Sequence, residues 1–182
     1  MLYQTLSEII TNPQFLELIH VGGCKPYHRE GSAYIHTMMV IQEVSKMFPD
    51  NEFMLKVAAL HDIGKIFTGI EKADGNWEYP DHAMCGSFRG ILSRFIPESD
   101  PDFKSIQWFI RNHIRPMFWM SKGFDVLKRD VSQILQQREV ENDPDRCTIS
   151  NLCGFVICDI KGSVSDEPQT ALIDYLTELA NQ

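Results

Sequence analysis

The chain has 182 residues, 43% of them hydrophobic and 23% charged, with a formal net charge of −8. That balance fits one globular domain able to bury a substantial core. The acidic excess argues against a long nucleic-acid footprint, which needs a basic face, but leaves room for a small phosphorylated ligand met by local charge. No apolar run reaches the roughly 20 residues of a membrane span.

The five cysteines, Cys24, Cys85, Cys147, Cys153 and Cys158, are odd in number and show no C-x-x-C spacing. The first 15 residues are too polar for a signal peptide. Buried reduced thiols in a cytoplasmic protein are expected.

In chain order, residues 1–20 predict a short helical lead-in. Asn12 caps it with Pro13 in first position, and Phe15, Leu16 and Ile19 share a face. Residues 27–31 form a polar loop ending in Gly31. Ser32 then caps a helix to about Phe48, with His36, Val40, Val44 and Met47 on one stripe, so His36 points inward. After Pro49 a second, nearly all-apolar helix over 52–62 is expected to be central, with His61 and Asp62 in its last turn. A carboxylate there opposes the helix dipole and calls for a nearby cation, either Lys65 or a metal.

Residues 66–81 read as a loop. His82 opens a helix whose stripe is Met84, Phe88, Ile91, Leu92 and Phe95. After a linker over 97–100, Phe103, Ile106, Ile110 and His113 line the next helix, which ends at Arg115-Pro116. Phe118 and Trp119 lie in an aromatic loop expected to pack as core. Leu127, Val131, Ile134 and Leu135 mark a helix to about Glu139, followed by a charged turn over 141–146. Over 147–162 an apolar 3.6-residue period carries Asp159 on its flank, and a buried carboxylate there needs a partner. A last helix over about 168–180 completes an all-α bundle of seven or eight helices in a single domain, with no clear strand alternation.

Of the six histidines, His36, His61, His82 and His113 sit at helix ends or apolar edges, as do Asp62 and Asp159; His20 and His28 fall outside this pattern. Such donors, if they converge, build a mixed nitrogen and oxygen site for Mn, Fe, Co, Ni or Zn. The segments YHREGSAYIHTMMV, AALHDIGK, DHAMCGS and CDIKG resemble, in that order, the metal-dependent phosphohydrolases of the HD-domain family. The nearest likeness is to the HD domain of bacterial tRNA nucleotidyltransferases, over about residues 24–162. That resemblance implies His36, His61, Asp62 and Asp159 as ligands of one metal, with Asp62 able to bridge. It places His82 and His113 in the slots that hold a second ion in two-metal members and touch phosphate or water in one-metal members. Lys161 stands where the family has arginine, giving a point charge in place of a two-pronged grip. The paired carboxylates of a nucleotidyltransferase head are not found in these residues, so CCA addition is not expected of them.

The implied activity is hydrolysis of a small phosphoester, such as a nucleoside monophosphate, a 2′,3′-cyclic phosphate or a dinucleotide. One or two divalent ions would assist, Asp62 and Lys65 would serve catalysis, and His28, Arg29, Arg115 and Lys161 would contact substrate. The alternative is a nucleotide- or RNA-end-binding module that keeps the metal pocket without turnover. Substrate selectivity is expected in the loops over 27–31, 67–81 and 115–123; the oligomeric state stays open.

Overall fold

The computed structural model describes residues 2–23, 28–122, 124–141 and 145–181. The expected thiol burial at Cys24, and part of the charged turn over 141–146, lie outside these residues.

The chain is mostly helical, as expected. In order come α1 (Leu2–Ile10), α2 (Pro13–Leu16) running into a 3-10 turn (Glu17–His20), α3 (Ala33–Met47), α4 (Glu52–Leu60), α5 (Lys65–Thr68), a two-stranded hairpin, α6 (His82–Gly86), α7 (Arg89–Leu92), α8 (Phe103–Asn112), a 3-10 turn (Pro116–Phe118), α9 (Phe124–Glu141), α10 (Ile149–Lys161) and α11 (Thr170–Ala180). The local start signals work as caps. Asn12 accepts from the Gln14 amide, Ser32 from Ile35, Asn51 from Met54 and Thr148 from Asn151, at 2.8 to 3.3 Å. Each satisfies a backbone donor that the helix itself cannot.

Two helices share the centre. α4 buries Phe53, Met54 and every residue from Lys56 to Leu60, and α10 buries an unbroken run from Leu152 to Ile160. α10 packs on α3 and α11 and also touches α4; α4 packs on α1, α3 and α8. Between α10 and α3 the backbones nearly touch. A Cβ on Gly162 would stand 2.7 Å from the Val40 amide nitrogen, so glycine there lets the end of α10 close on α3. The thiols of Cys147, Cys153 and Cys158 are buried, Cys85 is half-buried, and none of the four is bridged. Among the described residues, no helix is long and apolar enough to cross a membrane.

Several expected faces are corrected. Leu16 and Ile19 are exposed while Leu18 is fully buried, because α2 lasts one turn and the 3-10 turn after it advances the phase by 120° per residue. Met84 and Phe88 are exposed as well. The single helix expected after His82 is two short ones, and α6 buries Ala83 and Gly86 instead. Met47 emerges at the end of α3, and Phe118 is exposed beside a fully buried Trp119. The stretch over 66–81 is not all loop: it holds α5 and an antiparallel pair, β1 (Ile70–Glu71) with β2 (Trp77–Glu78), too short for any alternation to show.

Candidate metal centre

Five elements deliver donors to one point. His36 is in the first turn of α3, and His61 caps the C-terminus of α4 with Asp62 in the turn that follows. His82 opens α6, His113 caps α8, and Asp159 lies in the last turn of α10. The turn after Asp62 is pressed against α6. A Cβ on Gly64 would fall 1.9 Å from the His82 carbonyl oxygen, so only glycine permits this approach. Asp81, just before α6, takes a left-handed conformation (φ 52°) that turns the chain so that His82 faces inward.

All of these side chains but His82 are fully buried, and they fall into two groups around Asp62. Asp62 Oδ2 lies 3.3 Å from His61 Nε2 and 3.6 Å from His36 Nε2; Asp159 Oδ1 is 2.9 Å from His36 Nε2. Asp62 Oδ1 faces the other way, 3.3 Å from His82 Nε2 and 3.7 Å from His113 Nε2. Donors about 2.1 Å from a shared ion stand about 3.0 Å apart across an octahedral edge and about 3.4 Å apart across a tetrahedral one. The observed spacings bracket those values.

The imidazoles are set for this role. His61, His82 and His113 each place Nδ1 against the carbonyl three residues back, at Ala58, Tyr79 and Ile110, 2.8, 3.0 and 2.7 Å away. A carbonyl only accepts, so Nδ1 carries the hydrogen and the Nε2 lone pair is turned toward Asp62. Oxygen Oδ2 of Asp62 is enclosed, and among the described residues no donor aims a hydrogen bond at it, although Lys65 Nζ lies 2.6 Å away as an ion pair. The imidazole and carboxylate atoms gathered around Asp62 are a donor set that suits a transition metal.

Electrostatics point the same way. Burial pushes the Asp62 carboxyl up, but Lys65 and His61 outweigh it and hold it well below the carboxylate range. Burial also opposes ionisation of Asp159, and His61 and His36 overcome it. Burial disfavours charge on His61, yet Asp62 and Asp159 raise it to about 10. His36 is raised against its burial by Asp159 and Glu30. In the metal-free fold, protons on His36 and His61 therefore balance two buried carboxylates, a balance a divalent cation also provides. His113 is lowered by burial and stays a neutral donor.

Beside the donors opens a cleft of about 490 Å³, lined among others by His28, Lys65, His82, Asp159, Met117, Phe118 and Leu172. Small-molecule sites run from roughly 300 to 1,000 Å³. Lys65 is buried between Asp62 and the Tyr79 ring, 5.0 Å from its centroid. His28 borders the cleft. The other expected substrate contacts are placed elsewhere: Arg29 pairs with Asp166, Arg115 with Asp130 on α9, and Lys161 is exposed. Polar character singled out Arg29 and Arg115, and the motif position singled out Lys161; neither distinguishes a cleft from a surface. One buried side chain at the site escaped sequence reasoning. Glu30, whose side chain is 2% exposed, accepts from His28 and forms an ion pair with His36; its only signal was its place in the segment leading to His36.

No family model and no solved structure matches the chain. Over 193 aligned positions it is 24% identical to the Multifunctional CCA protein of Pasteurella multocida (strain Pm70), an alignment that covers 99% of this chain and 44% of that protein. The chain thus spans less than half the length of this relative.

Proposed function

We propose that residues 1–182 form one HD-type unit that hydrolyses a small phosphoester, a nucleotide by chemical class, with one or two divalent transition-metal ions. The observation that carries this is Asp62, whose Oδ2 faces His61 and His36 and whose Oδ1 faces His82 and His113. The name of the relative, a CCA protein, adds support for a nucleotide or RNA-end substrate.

His36, His61, Asp62 and Asp159 would hold one ion; His82 and His113, with the far oxygen of Asp62, would hold a second. Such an ion, when bound, supplies charge for the phosphoryl oxygens and acidifies water to hydroxide near neutral pH. The chain's own groups supply the rest. Lys65, at the cleft wall, offsets charge that develops on the phosphoryl oxygens. His28 borders the same space and hydrogen-bonds the phosphoester. Met117, Phe118 and Leu172 give the cleft an apolar wall that seats the non-phosphate part of the ligand and displaces water.

The test is a phosphate-release screen across nucleoside monophosphates, cyclic phosphates and dinucleotides with Mn, Co, Ni and Zn in turn. Release is expected with at least one pair, and His61→Ala or Asp62→Ala should reduce it by at least a hundredfold. Equal activity in both variants would sink the proposal. Nucleotide binding without turnover in any metal form would favour the inactive binding module.

A further inference from the structure

We infer that Glu30 is a positioning residue for two imidazoles, holding His36 toward the metal donors and His28 toward the cleft. The inference rests on the metal-centre reading above.

Three of the four donor histidines are oriented by their own chain, through the carbonyl three residues back. His36 has no such partner. Its i−3 carbonyl, that of Ala33, lies inside α3 and already accepts from the Thr37 hydroxyl at 2.8 Å. The nearest backbone acceptor is the Gly162 carbonyl, 3.3 Å from His36 Nδ1 and the longest such contact among the four. Glu30 Oε1 lies closer, at 3.1 Å. The same oxygen accepts from His28 Nδ1 at 2.9 Å, and Oε2 accepts from the Val164 amide at 3.0 Å. The carboxylate is thus anchored across the chain to the turn after α10, and its side chain is 2% exposed.

Two consequences follow from this arrangement. With its Nδ1 hydrogen bonded to the Gly162 carbonyl and the Glu30 carboxylate paired 3.1 Å from the same nitrogen, His36 presents Nε2 to Asp62 and Asp159, and the buried negative charge makes that nitrogen a stronger donor. His28 is held in the same tautomer, with its ring edge-on to His36 at 4.6 Å between centroids, so its Nε2 is the nitrogen left for the cleft. A carboxylate behind a ligating imidazole affects metal affinity by about 10- to 100-fold.

The experiment compares wild type, Glu30→Gln and Glu30→Ala in two measurements. Zinc affinity is read by competition with a chromophoric chelator. Imidazole tautomers are read from long-range proton–nitrogen NMR spectra of the metal-free and zinc-loaded proteins, with urea melts run alongside. Glu30→Ala is expected to weaken zinc binding by 10- to 100-fold and to remove the protected Nδ1 hydrogens of both His36 and His28. Glu30→Gln, whose amide oxygen still accepts one bond, should fall between and serves alone if the alanine variant does not fold. Lower stability with unchanged zinc affinity and unchanged tautomers would overturn the inference, leaving Glu30 a mere anchor for Val164. Should wild type bind no metal, the phosphohydrolase proposal falls, while the metal-free spectra still decide whether Glu30 protects the Nδ1 hydrogens of His36 and His28.

Discussion

Asp62 is the residue on which the centre turns, because one of its oxygens lies beside the group of His36 and His61 and the other beside the group of His82 and His113. Loss of its charge removes a contact from each, whereas loss of His82 or His113 removes one donor from one group only. Elemental analysis should therefore separate them. His82→Ala and His113→Ala are expected to lower bound metal while the His36, His61 and Asp159 group stays loaded, and Asp62→Asn to strip both. Equal stoichiometry across all three variants would mean that Asp62 is not shared. The sequence made the identity of these donors legible, since histidines and aspartates ending apolar faces are uncomfortable without a partner. It could not separate His28, which borders the cleft, from Arg29, one residue on, which turns outward to Asp166.

At the scale of elements, two contacts fix the donor-bearing helices. The turn after Asp62 meets α6 backbone to backbone at Gly64. Gly64→Ala must push α6 away; it should cost about 2–3 kcal/mol in a urea melt and lower the metal held through His82. A neutral result would show that the turn can shift without loss. Farther off, Lys56 on α4 is 5% exposed and reaches Asp100 and Asp102, each at 3.0 Å, just before α8. Burial alone would lower this lysine, but the two carboxylates raise it above its usual range. A raised cation stabilises fully at pH below its unfolded value and loses that contribution as pH climbs through the folded one. Wild-type stability should thus fall above about pH 10, and the drop should be smaller in Lys56→Met, which costs about 3 kcal/mol at neutral pH. Parallel pH curves for the two proteins would remove Lys56 from the account. The starts of α2 and α3 were readable from their caps, Asn12 and Ser32, but the faces of the one-turn helices were not. With four or five residues, the phase of a helix is set by what it packs on.

For the whole molecule, the donors come from α3, the end of α4, α6, α8 and α10, so a bound ion ties most of the bundle together. An ion that binds the folded chain at 100 times its dissociation constant adds about 2.7 kcal/mol, or roughly 5–10 °C at this size. A chelator should reverse the gain. Because His61 sits near 10 without metal, loading at neutral pH must expel protons; the gain should therefore grow as pH rises from 6 to 8. A thermal shift that is flat or falls across this range would contradict the proton balance at the centre.

The sequence by itself determined the all-α character, the capped starts of α2 and α3 and the set of candidate donors, because caps, apolar periods and residue chemistry are local properties. Only the tertiary structure decided that Asp62 lies between two groups, that Glu30 stands behind His36, and that Arg29, Arg115 and Lys161 face elsewhere. Those facts depend on how helices far apart in the chain meet, and a close approach such as that of Gly64 to His82 is fixed by packing, which no local pattern encodes.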